Sequence, residues 1–183
     1  MRIISGLKKS IQIKLPKGLP VSTRPTTDRV KESLFNILAN RIEFSEIIVL
    51  DLFSGSGSIS YEFASRGCTN IYSVDNSEKC TTFIKETSLK YGFNINVFKK
   101  DCRVFIRRCK LKFNLIFIDP PYNENVEYYN ELINIIKSEN ILSEKGEIII
   151  EHNPRIILSK SYSEADERKF GSSVLTFIKK ASL

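Results

Sequence analysis

Nothing in the 183-residue sequence approaches the roughly 20 consecutive apolar residues that cross a bilayer. The basic start, "MRIISGLKKS", also lacks the apolar stretch of a secretory leader. Both absences point to a cytoplasmic chain with no membrane partner. Four cysteines, Cys68, Cys80, Cys102 and Cys109, form no CxxC pair, and His152 is the single histidine. A zinc site or a disulfide framework is therefore not expected, and the thiols read as small apolar groups. Internal repeats, low-complexity tracts and long linkers are missing too. What is present is the composition of one globular domain, 42% apolar and 27% charged.

The net charge of +7 is unevenly placed. Residues 1–31 hold eight Lys/Arg (Arg2, Lys8, Lys9, Lys14, Lys17, Arg24, Arg29, Lys31) against one acid, Asp28. The rest of the chain is balanced. Such a segment suits a polyanion, or else is a solvated basic tail. A second basic stretch, "KKDCRVFIRRCKLK" (99–112), places Arg103, Arg107 and Lys110 on one expected helix face.

Apolar patterning gives the organisation. Ile11, Ile13 and Leu15 alternate with polar residues, which predicts short N-terminal strands around a Gly turn. A helix is expected from Thr27 or Asp28, with Val30, Leu34, Ile37 and Leu38 on one side. "IIVLDLF" then reads as a strand buried on both faces, and "NIYSVD", "NVFKKD", "FNLIFID" and "GEIIIEH" follow with helical patterns between them. Strand–helix alternation implies right-handed crossovers and a mainly parallel sheet. "EADERKF" and "SVLTFIKK" read as a closing antiparallel hairpin.

Chemistry concentrates at the strand ends. "DLFSGSGS" follows the first core strand, and Gly55 and Gly57 permit a tight turn. The third glycine of the dinucleotide fingerprint is missing, and Asp51 would repel a pyrophosphate but attract an ammonium group. Asp75 and Asp101 end the next two strands. Each acid alone could be a helix N-cap, yet three at successive strand ends suit the ligand edge of an α/β sheet, Asp75 for ribose hydroxyls and Asp101 with the Cys102 N–H for adenine.

The fourth strand ends in "DPPY". Pro120 and Pro121 stiffen the bend, so Asp119 and the Pro120 carbonyl offer two acceptors to one exocyclic amine. Tyr122 offers a face for a planar base. The set suits an amino group on a flat ring.

These residues resemble the S-adenosylmethionine-dependent amino-methyltransferases, and the order "MRIISG", "RPTTDRVKESLFNIL", "LDLFSGSGS", "YEFASRG", "DPPY", "RKFGSSVLTF" resembles the RsmD family of small-subunit ribosomal RNA guanine-N2 methyltransferases. The resemblance implies an α/β, Rossmann-like methyltransferase fold, a seven-stranded sheet of order 3-2-1-4-5-7-6 with one antiparallel strand. It divides the chain into a basic extension, 1–40 (hairpin, "RPT" loop, helix), packed on a methyltransferase domain, 41–183. By position, Asp51, Phe53, Gly55 and Gly57 would hold the methionine part of the cofactor, Asp75 the ribose, and Asp101 with Cys102 the adenine. Asp119, Pro120, Pro121 and Tyr122 would take the target base, Asp119 facing the cofactor as well. Arg24, Pro25 and Thr26 would help close the site, with Lys8, Lys9, Arg103 and Arg107 on the RNA. Two positions depart from the family: Ser10 and Ser60 stand where glycine is frequent.

The implied partner is ribosomal RNA or an assembling small subunit, the implied state a monomer. A sulfonium methyl is already activated, so the expected reaction needs no metal, only alignment of donor and acceptor. His152 is not expected to act in it. No Cys follows a Pro, which disfavours covalent pyrimidine methylation. A DNA adenine-N6 methyltransferase shares the tetrapeptide but usually has a DNA-reading domain. A protein glutamine methyltransferase more often has Asn at position 119, and a non-catalytic binding module would not need the acids.

Overall fold

The computed structural model describes residues 1–20, 26–121, 124–158, 162 and 164–183. Its elements are α1 (Asp28–Ala39), β1 (Ile48–Leu52), α2 (Ser58–Ser65), β2 (Asn70–Asp75), α3 (Glu78–Tyr91), β3 (Ile95–Lys99), α4 (Cys102–Arg108), β4 (Phe113–Ile118), α5 (Val126–Ser138), β5 (Leu142–His152), β6 (Asp166–Phe170) and β7 (Ser173–Lys179). One seven-stranded sheet runs β3-β2-β1-β4-β5-β7-β6. β7 is antiparallel to both β5 and β6, and the other pairs are parallel. This is the expected order and the expected closing hairpin. No helix among the described residues is long and apolar enough to cross a membrane.

Period-two alternation sorts the strand residues between two cores. Leu50, Leu52, Ile116, Ile118, Ile148 and Ile150 face α4 and α5. Val49, Ile71, Leu115, Phe117 and Ile149 face α1 and α2, with Phe35 and Phe63 in edge contact at 4.8 Å. The same alternation assigns Asp51, Ser73 and Asp75 to the α1–α2 side, and Asp119 and Glu151 follow in sequence on that side. Local signals fix the helix starts. The Thr27, Ser77 and Asn125 side chains accept from backbone N–H groups of the first turns of α1, α3 and α5.

The N-terminal segment departs from the expected strands. It bends back on itself, with Ile3 N–H donating to Ile11 O and Ile13 N–H to Met1 O, but only one bridge forms, Arg2 with Gln12. Ile3 and Ile13 are buried against Tyr61 and Ile84, whereas Leu15 is exposed. The reason lies in where the other donors go. Leu7 N–H reaches Ser65 O, Lys8 N–H reaches Ser65 Oγ, and Ile4 N–H reaches Glu62 Oε1. The segment docks onto the end of α2 instead of extending a ladder. Gly6 is required there, because its φ is +85° and a Cβ would lie 1.9 Å from Ser65 O. Ser10 also takes a left-handed φ of 68°.

One buried ion pair secures this docking. Lys31 Nζ lies 3.2 Å from Glu62 Oε1, with side chains 1% and 0% exposed. Lys31 also donates to Arg2 O, and Arg66 pairs with Glu62 while stacking over Phe35. Removing one partner strands the other charge in the interior. Glu62→Ala should therefore cost about 3–5 kcal/mol in urea unfolding, and Glu62→Gln distinctly less. Equal, small losses for both would show that the pair is not coupled to stability.

Candidate active site

The turn after β1 holds a strained backbone. Phe53, a non-glycine residue, has φ 59°, and Gly55 and Gly57 have φ 51° and 80°. A Cβ on Gly57 would meet the Tyr61 ring at 2.8 Å and Ile84 at 2.9 Å. The turn thus swings the chain tightly into α2, whose first-turn amide reaches back: Ser60 N–H donates to Asp51 Oδ2 at 3.2 Å and Ser60 Oγ at 2.6 Å. Ser60 Oγ in turn lies 2.5 Å from Ser73 Oγ. Ser60 therefore supports Asp51. Asp51 is buried with no cationic partner among the described residues, and desolvation pushes its carboxyl up to about 7.

Asp51 lines a cavity of about 310 Å³ at the C-terminal edge of the sheet. Nine other expected site residues line it too, among them Phe53, Gly55, Asp75, Asp101, Cys102 and Thr26. Asp75 accepts the Gly55 N–H on Oδ2 and the Ser77 N–H on Oδ1, both at 2.8 Å, so the glycine amide serves an acid of the protein itself. Each carboxylate oxygen keeps a second lone pair for a ligand. Asp101 is also an N-cap, its Oδ1 accepting from Arg103 and Val104 N–H. Burial raises the Cys102 thiol and suits it to a wall rather than a nucleophile.

On the β4 side, Asp119 and Pro121 line the cavity, and Pro120 is buried. The Asp119 carboxyl is raised well above the usual range by desolvation first, then by the charges of Glu151 and Asp51. Three acids on one face with no cation among them suit a cationic, donor-rich ligand. So do the Ser54 and Ser58 hydroxyls, buried at the wall without a hydrogen-bond partner. These features fit the ammonium, sulfonium and ribose of S-adenosylmethionine.

The family model described as conserved hypothetical protein 95 matches residues 1–179. The Bacillus subtilis protein YlbH is 34% identical over 169 residues, covering 90% of this chain and 89% of its own. The Escherichia coli K12 protein named ribosomal RNA small subunit methyltransferase D is 32% identical over 154 residues, covering 82% and 74%. The chain belongs to the RsmD family. The solved structure of the Thermus thermophilus protein TTHA0928 shares the fold, with a TM-score of 0.82 at 23% identity over 97% of this chain and 98% of that one.

Not every residue expected of an RsmD-family site falls in the cavity. Arg24, Pro25 and Tyr122 lie outside the described residues. Lys8 is half-buried and Lys9 exposed on the docked N-terminal turn, away from the lining. Arg103 is on the cavity rim, paired with Glu131 at 3.4 Å and Asp101 at 3.7 Å, and lies over the Tyr128 ring. Arg107 is exposed, but α4 ends at Arg108, so Lys110 lies beyond the helix and does not extend their face. His152 points into the α4–α5 core, Nε2 2.7 Å from Thr176 Oγ1 and Nδ1 2.9 Å from Asn153 O. Desolvation lowers its basicity, in keeping with a structural role. Sequence reading missed Glu151 and Tyr128. The first was signalled by the acid near the end of "EIIIEH", which closes an apolar run as Asp119 does in "FNLIFID". The second sits one residue before Tyr129, which is buried on the core side of α5, and so lies off that apolar face.

The Asp51 shift has a measurable consequence for the RsmD-family fold. Its folded carboxyl titrates near 7 against 3.8 for the free group. Stability carried by the protonated form is full below about pH 4 and is lost as pH rises through 7. Asp51→Asn removes this loss and keeps an acceptor for Ser60. Urea melts of ligand-free protein should favour the variant progressively from pH 5 to about pH 7, by up to about 1.4 kcal/mol per pH unit, and the advantage should level off above that. A pH-independent difference would contradict a buried, unpaired Asp51.

Proposed function

We propose that this chain transfers a methyl group from S-adenosylmethionine to the exocyclic 2-amine of a guanine in small-subunit ribosomal RNA, in the cytoplasm. The observation that carries the reading is the shared cavity of Asp51, from the glycine turn, and Asp119, from "DPP". It is supported by the relatives from Escherichia coli and Haemophilus influenzae, both named ribosomal RNA small subunit methyltransferase D. When bound, the cofactor supplies an electrophilic methyl group on sulfur. Asp51 would accept from its ammonium and Asp75 from its ribose hydroxyls, and Asp101 and Cys102 would border its adenine.

Asp119 and the Pro120 carbonyl hold the two hydrogens of the target amine. The amine lone pair is delocalised into the ring, and two acceptors favour the pyramidal nitrogen of the transition state. Asp119 would hold the nitrogen in line with that methyl group and would receive the surplus proton that the amine sheds. Tyr122 stacks on the base, which must leave its own stack to enter. Arg24, Pro25 and Thr26 close the mouth.

Labelled methyl transfer to small subunits from cells lacking the gene tests this reading, with nucleoside analysis of the product. Asp119→Ala should leave cofactor affinity within about threefold and lower turnover by roughly 100-fold or more. Near-normal turnover would remove Asp119 from the base pocket. The N-terminal lysines are assigned to phosphates. Neutralising Lys8, Lys9, Lys14 and Lys17 should flatten the salt dependence of RNA binding by about 0.7–0.9 in slope for each phosphate no longer neutralised, with cofactor affinity unchanged. An unchanged slope would leave those lysines as a solvated surface and turn attention to Arg107.

A further inference from the structure

Glu151 is not claimed by the roles above, yet it occupies the next strand end beside Asp119. Ile118 pairs in register with Ile150, so Asp119 and Glu151 follow at neighbouring positions of adjacent parallel strands, roughly 4.8 Å apart between backbones. Both lie on the sheet face of Asp51. Glu151 is 5% exposed. The hydroxyls of Thr26 and Ser173 donate to its carboxylate, but Oε2 has no hydrogen-bond partner among the described residues. A buried carboxylate oxygen without a donor is rare and costs free energy, so it calls for an occupant. A carboxylate oxygen only accepts, so the occupant that suits it is a hydrogen-bond donor. Thr26 and Asp119, the neighbours of Glu151, both line the cavity.

We propose that Glu151 is a second acceptor of the target-base pocket, taking the ring N1–H of guanine beside the 2-amine held at Asp119, and so selects guanine. The inference rests on the guanine-N2 reading and deepens it. Guanine presents two adjacent donors, N1–H and the 2-amine, and two neighbouring carboxylates match that pair. Adenine presents an amine next to a bare N1 lone pair, which a carboxylate repels. A site built to receive a donor discriminates strongly against an analogue that lacks it. Glu151 does not line the cavity itself, but Thr26, which donates to its carboxylate, does; displacement of that side chain as the base enters would open Oε2 to N1. The donor also relieves the charge that Glu151 shares with Asp119 and Asp51, each of which is raised by burial.

The test compares ribosomal RNA carrying either guanine or 2-aminopurine at the nucleotide the parent methylates. 2-Aminopurine keeps the 2-amine and replaces N1–H by a lone pair. Single-turnover rates should favour guanine by on the order of 100-fold in the parent. In Glu151→Gln the preference should shrink to within about tenfold, since the amide can donate to a bare N1 or accept from N1–H. Cofactor affinity, read by calorimetry, should be unchanged and certifies the fold. A preference as large in Glu151→Gln as in the parent overturns the inference alone and leaves Glu151 as a support for Thr26. No methyl on the guanine amine in the parent overturns the guanine-N2 reading and this inference with it.

Discussion

Four carboxylates, Asp51, Asp75, Asp119 and Glu151, converge on one face at the C-terminal edge of a parallel sheet, and no buried cation answers them among the described residues. Parallel strands make this convergence unavoidable. Alternation sends every second side chain to the same side, and adjacent strands end together. Burial raises the Asp51, Asp119 and Glu151 carboxyls, so these three resist ionisation. The protein supplies partial relief through α2 amides and the Ser60 and Ser73 hydroxyls. The rest must come from a ligand that brings positive charge and donors. In the proposed reading a sulfonium nucleoside with an ammonium group would do so at β1 and β2, and a guanine edge would do so at β4 and β5.

The N-terminal segment serves the same edge from outside. Its docking onto α2 through Glu62, Lys31 and Ser65 fixes the start of α1, and Thr26 lies immediately before the α1 cap. Thr26 touches both the cavity and Glu151. The basic surface and the acidic pocket are thereby joined through one short stretch of chain. In the proposed reading, phosphate contacts on the former would position a base over the latter, a division of labour between affinity and chemistry.

The sheet order and the strand-end acids were legible because buried parallel strands are continuous apolar runs with abrupt polar ends. The glycine turn was legible for its conformation, while the Gly55 amide turned out to serve Asp75. Less visible were features set by contacts between distant elements. Ile11, Ile13 and Leu15 alternate as a strand does, yet the segment's donors go to α2, so the ladder stops at one bridge. Arg103 reads as a free cation in sequence, and only the packing of α4 against α5 brings it onto Tyr128 and Glu131. Glu151 was hidden by its neighbours: "EIIIEH" announces a strand, and its last acid draws notice only once β5 is known to lie beside β4.

The central claim is that this acidic edge binds a methyl donor and a guanine amine together. Mass mapping of small-subunit ribosomal RNA from cells with the gene, without it, and with an Asp119→Ala copy tests it most directly. The account predicts one guanine that carries a methyl on its 2-amine only when the parent gene is present. A methylation pattern identical in all three strains, or a lost methyl that maps to a base without an exocyclic amine, would contradict it.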